Sequence, residues 1–155
     1  MKKRLLTTFF ASLSLLFNTY QLKAQDYKTS IGLAIDFGNG ATFAGPSIKS
    51  FLNSKTAING EVLFGANATI LQAMYQKHGD IRDIDGLKWF AGGGPSLQLQ
   101  SWGSNLYLVP MAGLEYKFKE VPISSSFDWR PRLFVGRHSD FSSGRFGLGF
   151  KYHFR

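Results

Sequence analysis

Strict alternation of apolar residues with small or charged ones constrains this chain more than any other sequence feature. It is clearest near the end of the chain, where the even positions hold Phe146, Leu148, Phe150, Tyr152 and Phe154. The odd positions from 145 to 153 hold arginine, two glycines, lysine and histidine. Because side chains of a β-strand alternate between its faces, this segment predicts a strand with one apolar face and one small or charged face. A helix would mix the same residues around its circumference.

The same period of two recurs along the chain and defines eight predicted strands. Near the beginning, for example, Leu33, Ile35 and Phe37 alternate with Ala34 and Asp36. Only residues 41–51 alternate poorly, and they are included because the order requires a strand there. The predicted strands cover residues 27–37, 41–51, 58–64, 71–76, 87–100, 106–118, 123–130 and 144–155.

Turn-forming residues fall between these segments. Glycine, asparagine, serine and proline occur at 38–40, 53–55, 65–67, 79–86, 101–105, 119–122 and 137–143, and each cluster suits a hairpin connection. Eight strands of about ten residues and seven connections of about seven residues account for residues 25–155. The prediction is an all-β fold, an eight-stranded antiparallel up-and-down β-barrel, with no second domain.

The charge-free interval 89–114 resembles a membrane helix only by its length. It contains Gly92, Gly93, Gly94, Pro95 and Pro110, which would interrupt a helix repeatedly. Two strands and a turn fit better. Because proline cannot donate a hydrogen bond to a neighbouring strand, we expect a local bulge or gap in pairing where the two prolines lie almost opposite each other.

The first 24 residues have the three-part layout of an export signal. Three basic residues precede an apolar stretch at 5–17, and a polar run then reaches Ala24, after which we expect cleavage. The domain division is therefore a signal peptide at 1–24 and a barrel domain at 25–155. Without residues 1–24 the chain has 14 basic and 10 acidic residues, so its formal charge falls from +8 to +4. The remaining basic residues are scattered and carry no nucleic-acid-reading motif, so no nucleic-acid partner is expected.

Alternation alone leaves two kinds of barrel open, a membrane barrel with lipid outside and a lipocalin-like secreted carrier with an apolar interior. Glycine shares the polar face with long charged residues, which suits a narrow lumen better than a water-facing surface. Aromatic residues such as Tyr27, Phe37, Tyr116 and Phe118 lie near strand ends, where interfacial girdles occur. Together with the export signal, these features favour the membrane barrel.

The last strand, ending in an aromatic residue at Phe154, resembles the C-terminal recognition strand of outer-membrane barrels, although Arg155 follows the aromatic here. The whole of 25–155 is similar to small outer-membrane β-barrel proteins of the porin-like family, in the size class of OmpX and the OmpA membrane domain. The segments 113–118 and 127–131 look like late hairpins of that group. The resemblance implies an integral outer-membrane protein of a double-membraned bacterium. It also implies outer-membrane lipids and the barrel insertion machinery, which would read the C-terminal strand, as partners, but it implies no reaction.

The predicted inward face is rich in charge. An eight-stranded barrel has room only for its own side chains, so we expect a paired polar network that fills the lumen and excludes a large diffusion pore. A path for ions or small solutes remains the alternative. The basic residues predicted to point inward are Lys28, Lys49, Lys88, Lys117, Arg130, Arg132, Arg145 and Lys151, and the acidic ones are Asp36, Glu61, Glu115 and Asp128.

Catalytic and metal-binding patterns are weak in this sequence. His138, Ser139 and Asp140 resemble the catalytic set of outer-membrane lipid A deacylases, but in that family one residue separates the histidine and the serine. Adjacent residues on a strand face opposite sides, so we predict no catalytic residue and keep a deacylase-like enzyme only as an alternative.

The acidic connection 80–86 lacks the spacing of a calcium loop. His78 and His153 belong to no ligand cluster in the sequence, and the chain has no cysteine. We therefore expect no metal, no cofactor and no disulfide, and a structural or surface-interaction role.

Overall fold

A computed structural model describes residues 28–138 and 140–154. These residues contain ten β-strands and no helix long and apolar enough to cross a membrane. The predicted signal peptide at 1–24 and its cleavage site lie outside the described residues. The strands are β1 (Thr29–Gly38), β2 (Ala41–Asn53), β3 (Thr56–Gly65), β4 (Ala68–Asp80), β5 (Leu87–Gln100), β6 (Gly103–Lys117), β7 (Ile123–Trp129), β8 (Arg132–Phe134), β9 (Phe141–Ser142) and β10 (Arg145–His153).

Eight of these strands close into an antiparallel barrel. Each of β1 to β6 pairs with the next strand in the chain, β6 pairs with β7, β7 with β10, and β10 returns to β1. The closing β1–β10 ladder runs without interruption from the Ser30–His153 pair to the Gly38–Arg145 pair. The prediction of an eight-stranded antiparallel up-and-down barrel is therefore confirmed.

The two remaining strands, β8 and β9, extend the last hairpin beyond the barrel rim. Pro131 follows β7 and cannot donate a backbone hydrogen bond, which separates β7 from β8. After this break, Phe134 pairs with Tyr107 of β6, and Leu133 pairs with Phe141 of β9. The sequence prediction placed the connection at 137–143 and missed this strand pair.

The barrel has two ends that differ in their connections. The termini end contains the two chain ends of the barrel and the turns at 54–55, 81–86 and 118–122; the far end contains the turns at 39–40, 66–67 and 101–102 and the extension at 130–144. Two far-end turns are two-residue turns in which both residues have positive φ, 49° and 76° at Asn39 and Gly40, and 45° and 55° at Ala66 and Asn67. Such turns match the twist of the strands they join.

The apolar positions point out of the barrel and the small or charged positions point into it. On β1, Leu33 is 62% exposed whereas Ala34 is 1% exposed. On β10, Phe150 is 51% exposed, and Gly147 and Gly149 on the opposite face are buried. The apolar parity is thus on the outside, as predicted. A lipocalin-like carrier would need these residues inside, so that alternative is wrong.

The expected pairing gap near the two prolines is present, but on the other side of β5. The β5–β6 ladder is continuous, with Pro95 opposite Leu108 and Pro110 opposite Gly93. The β4–β5 ladder is interrupted between the Gln72–Ser96 and Tyr75–Gly93 pairs. Successive residues of a strand direct their backbone N–H groups alternately to one neighbouring strand and to the other. The donor that Pro95 lacks would have faced β4, so its absence affects the pairing of β5 with β4.

The interior is less uniformly polar than the sequence suggested. Two apolar clusters lie inside the barrel among the charged residues. The first consists of Ala34, Phe43, Leu63 and Ile70, and the second of Met74, Phe90, Val109 and Met111. Phe43 also explains why 41–51 alternates poorly, since on β2 a large aromatic residue points inward while small ones point outward.

Candidate functional site

Six charged side chains form a connected group in the barrel interior, which we call the arginine network. Its members are Asp36, Glu61, Asp128, Arg130, Arg132 and Arg145. All six are at most 5% exposed. Three guanidinium groups face three carboxylates, so the formal charges of the network cancel.

Arg130 is at the centre of this network. Its Nε and Nη2 donate hydrogen bonds to the two carboxylate oxygens of Asp128 at 2.6 and 2.8 Å, and its Nη1 donates to Oε2 of Glu61 at 2.9 Å. The pair with Asp128 is bidentate, the geometry that a planar guanidinium forms best. Asp128 belongs to β7 and Glu61 to β3, so Arg130 connects two strands from different parts of the barrel wall.

Asp36 of β1 receives the other two arginines. Arg145 donates to Oδ1 from Nη2 at 2.6 Å and from Nε at 2.9 Å, and Arg132 donates to Oδ2 from Nη2 at 2.8 Å. Arg132 and Arg145 also lie beside the ring of Phe43, with centroid distances of 5.8 and 5.4 Å. The first apolar cluster, which contains Phe43, therefore packs against the charged groups.

A second network surrounds Glu115 of β6. Its Oε2 accepts a hydrogen bond from Nζ of Lys49 at 2.5 Å and lies 3.3 Å from Nε2 of His78, and its Oε1 accepts from Oγ of Ser124 at 3.1 Å. Ser124 Oγ in turn lies 2.9 Å from Nε2 of His153. These five residues, the glutamate network, contain a buried ion pair that connects β2 to β6.

The glycine at position 147 makes room for the arginine network. A Cβ added to Gly147 would overlap the guanidinium group of Arg130, whose position is fixed by Asp128 and Glu61. A glycine on the inward face of β10 thus has a packing reason, as the sequence pattern suggested. Gly60, by contrast, faces outward, and a Cβ there would meet only the Ile48 side chain at 3.6 Å.

Most of the residues predicted to point inward are buried, and three lie at the termini-end rim. The buried basic ones are Lys49, Arg130, Arg132, Arg145 and Lys151, and all four acidic ones are buried. Lys151 interacts electrostatically with Glu61 and Glu115, one from each network. Lys28 is exposed, and Lys88 and Lys117 are half-buried at the rim.

Which acidic residue pairs with which basic one was not predictable from the sequence. The Asp36–Arg145 bond joins residues 109 positions apart, and its formation depends on the register between β1 and β10. The contributions of Asn59, Gln72 and His78 to the networks were also missed. The sequence signal that could have identified them is their place at the alternating strand positions that point into the barrel.

The weak catalytic and metal patterns receive no geometric support. His138 and Asp140 are exposed in the far-end extension, and Ser139 lies outside the described residues. Within residues 28–138 and 140–154, no three His, Cys, Asp or Glu side chains form a group that could hold a metal ion.

Asp85 of the acidic connection forms an ion pair at the termini end. Nζ of Lys119 donates a hydrogen bond to Oδ2 of Asp85 at 2.7 Å and joins the turn at 81–86 to that at 118–122. This bond lowers the pKa of the Asp85 carboxyl and raises the pKa of the Lys119 ammonium. Both side chains are exposed to solvent, so the pair has a local effect on titration rather than on stability.

The closed antiparallel barrel with an apolar outside and a charged inside defines the fold class of eight-stranded transmembrane β-barrels. The solved structures support this fold. The chain is similar to the N-terminal β-barrel domain of Pseudomonas aeruginosa OprF, with 16% identity, a TM-score of 0.65, and coverage of 83% of this chain and 98% of that one.

Two further structures are similar to this chain. A barrel from the de novo design of transmembrane β-barrels has 6% identity and a TM-score of 0.63, over 86% of this chain and 100% of that one. The attachment invasion locus protein Ail of Yersinia pestis has 15% identity and a TM-score of 0.42, over 82% of this chain and 97% of that one. No protein-family model matches the chain, and no curated protein matches it.

Proposed function

We propose that this chain is an integral outer-membrane β-barrel protein with a structural or surface-interaction role. The observation that carries the proposal is the inversion of the usual burial pattern of a water-soluble protein. Lys49 and Asp36 are at most 1% exposed, whereas Leu33 and Phe64 are 62% and 55% exposed. Such an outer surface is stable only when acyl chains solvate it, and a closed barrel leaves no unpaired strand edge in the lipid.

The outer membrane is the proposed location because of the two ends of the sequence. Residues 1–24 have the layout of a signal peptide cleaved after Ala24, and transmembrane barrels with exported precursors belong in that membrane. The aromatic β10 strand, followed by Phe154, offers the insertion machinery a recognition segment. Outer-membrane lipids are then the main contacts of the outer surface, and no cofactor is needed.

The lumen, in this proposal, is closed by the arginine and glutamate networks and the two apolar clusters. Eight strands enclose a space that side chains fill. Arg130 connects to both Asp128 and Glu61, and Lys49 connects to Glu115, so charged groups from β2, β3, β6 and β7 meet inside the barrel. The protein therefore does not act as a large diffusion pore.

The decisive experiment is electrophoresis of the membrane fraction with and without boiling. A closed barrel keeps its compact form in detergent until it is heated, so the unboiled protein is expected to migrate faster. The variant Leu148→Pro is the matched control, because proline removes a backbone donor from β10 at the level where it pairs with Ile35 and Phe127, and it should weaken the fast band. Recovery of the wild-type protein only in the soluble periplasmic fraction would contradict the proposal.

Liposome swelling with neutral sugars tests the closed lumen separately. Vesicles that contain the purified protein are expected to swell no faster than empty vesicles, with a large porin as the positive control. Swelling at a porin-like rate would show an open pore and remove the proposed lumen closure, while leaving the barrel itself intact.

A non-enzymatic role is the last part of the proposal. The deacylase-like alternative requires Ser139 as nucleophile with His138 as base, and these residues are adjacent in the chain. Expression of the wild-type chain and of Ser139→Ala in the same cells should give identical lipid A acylation by mass spectrometry. Loss of an acyl chain with the wild type alone would establish the enzyme instead.

A further inference from the structure

A cavity of about 420 Å³ opens at the termini end of the barrel, beneath the turn at 81–86, and we call it the termini-end cavity. The residues that give it its chemistry are Lys28, His78, Lys88, Glu115, Lys117 and His153. Three ammonium groups and two imidazoles thus face one carboxylate.

The one carboxylate of the cavity is already neutralised. Glu115 accepts hydrogen bonds from Lys49 at 2.5 Å and from Ser124 at 3.1 Å, and it lines the cavity. Lys88 lies 3.5 Å from Asp80, but that carboxylate is 79% exposed and screened by water. The charges of Lys28 and Lys88 therefore outweigh the acidic charge that the cavity presents.

His78 provides an independent indication that the cavity receives a ligand. Its side chain is 1% exposed and is held between the rings of Phe51 and Phe90, with centroid distances of 5.1 and 5.5 Å. Nε2 lies 3.3 Å from the carboxylate of Glu115 and is the nitrogen that donates to it, because an ionised carboxylate only accepts. Nδ1 is buried and has no hydrogen-bond partner.

We propose that the termini-end cavity binds a small oxyanion of the phosphate class. An oxyanion can accept hydrogen bonds from several ammonium groups at once, and a hydroxyl group of the same ligand can donate to Nδ1 of His78, which is an acceptor when Nε2 donates to Glu115. The cavity walls are protein of low dielectric, which concentrates the field of the lysines on the ligand. Free phosphate and the phosphate of a lipid headgroup share this chemistry. The proposal depends on the folded barrel alone and not on its cellular location.

The test uses the folded full-length protein in octyl glucoside, a detergent without phosphate. Inorganic phosphate is titrated in one arm and a short-chain phosphatidylglycerol in the other, and the ¹⁵N shift of His78 Nδ1 is followed by NMR. Saturable shifts with inorganic phosphate identify a free anion as the ligand, and saturable shifts with the lipid alone identify a headgroup. No saturable shift in either arm would overturn the proposal.

The double variant Lys28→Gln/Lys88→Gln tests the role of the rim charges without touching a buried group. We expect its dissociation constant to rise by roughly tenfold or more, because two charge-assisted contacts are removed. The matched control is Lys55→Gln/Lys77→Gln, which removes two exposed lysines at the same end that do not line the cavity. A fast unboiled band checks that each variant is folded. Equal affinity of the two double variants would refute the site.

Discussion

Replacing Arg130 with methionine should cost the barrel about 3–5 kcal/mol of unfolding free energy, the usual effect of breaking a buried ion pair. Arg130 is 2% exposed and makes three charge-assisted hydrogen bonds, two with Asp128 and one with Glu61. At about 1.5–3 kcal/mol each, the three bonds together contribute about 4.5–9 kcal/mol, most of which lies above this range, but side-chain relaxation and entry of water recover part of the loss. The arginine network would then carry one excess negative charge, with Asp128 deprived of its bidentate partner and Glu61 held by Asn59 and Gln72.

The assay is equilibrium urea unfolding of the barrel in lipid vesicles, followed by tryptophan fluorescence. Arg82→Met is the matched control, since Arg82 is exposed in the turn at 81–86 and its replacement should change stability by less than about 0.5 kcal/mol. If Arg130→Met unfolded at the same urea concentration as Arg82→Met, the lumen would behave as a water-filled channel and the reasoning from burial would fail.

Two further predictions concern one inward glycine and one exposed ion pair. Gly147→Ala should destabilise the barrel by about 1–3 kcal/mol in the same urea assay because its methyl group displaces Arg130, whereas the outward Gly60→Ala should be nearly neutral; equal effects would contradict the packing argument. Removing the cation with Lys119→Gln should raise the pKa of Asp85 towards its ordinary value, as measured by carboxyl ¹³C NMR, and an unchanged pKa would show that the pair does not persist in solution. The sign follows because the Asp85–Lys119 attraction is present when Asp85 is ionised and is lost as the pH falls through its lowered pKa.

The fold was predictable because a barrel imposes one simple rule on every residue of a strand. Along β10, Phe150 and Tyr152 could be assigned outward from their parity alone, and the structure places them there. The rule fails where an apolar residue points inward. Phe43 and Phe90 occupy inward positions of their strands, where the rule expects small or charged residues. They are apolar because they pack in clusters beside the charged groups of the lumen.

The interior networks were predictable in membership and not in pairing. Asp36 and Arg145 were both expected inside, but their bond depends on the register between the first and last strands, which no local pattern specifies. The extension after Pro131 was missed for a related reason. β8 contains three residues and pairs with β6 far earlier in the chain, so its alternation is too short to detect.

The central claim is that lipid solvates the apolar parity while the other parity is enclosed. It can be tested without any substitution by methyl NMR of the barrel in nanodiscs whose lipids carry a nitroxide in the acyl chain. The methyl signals of Leu33 and Ile48, which are 62% and 49% exposed, should broaden strongly, while those of Leu63, Ile70 and Val109, each 0% exposed, should remain sharp. Broadening of the second group with protection of the first would contradict the account.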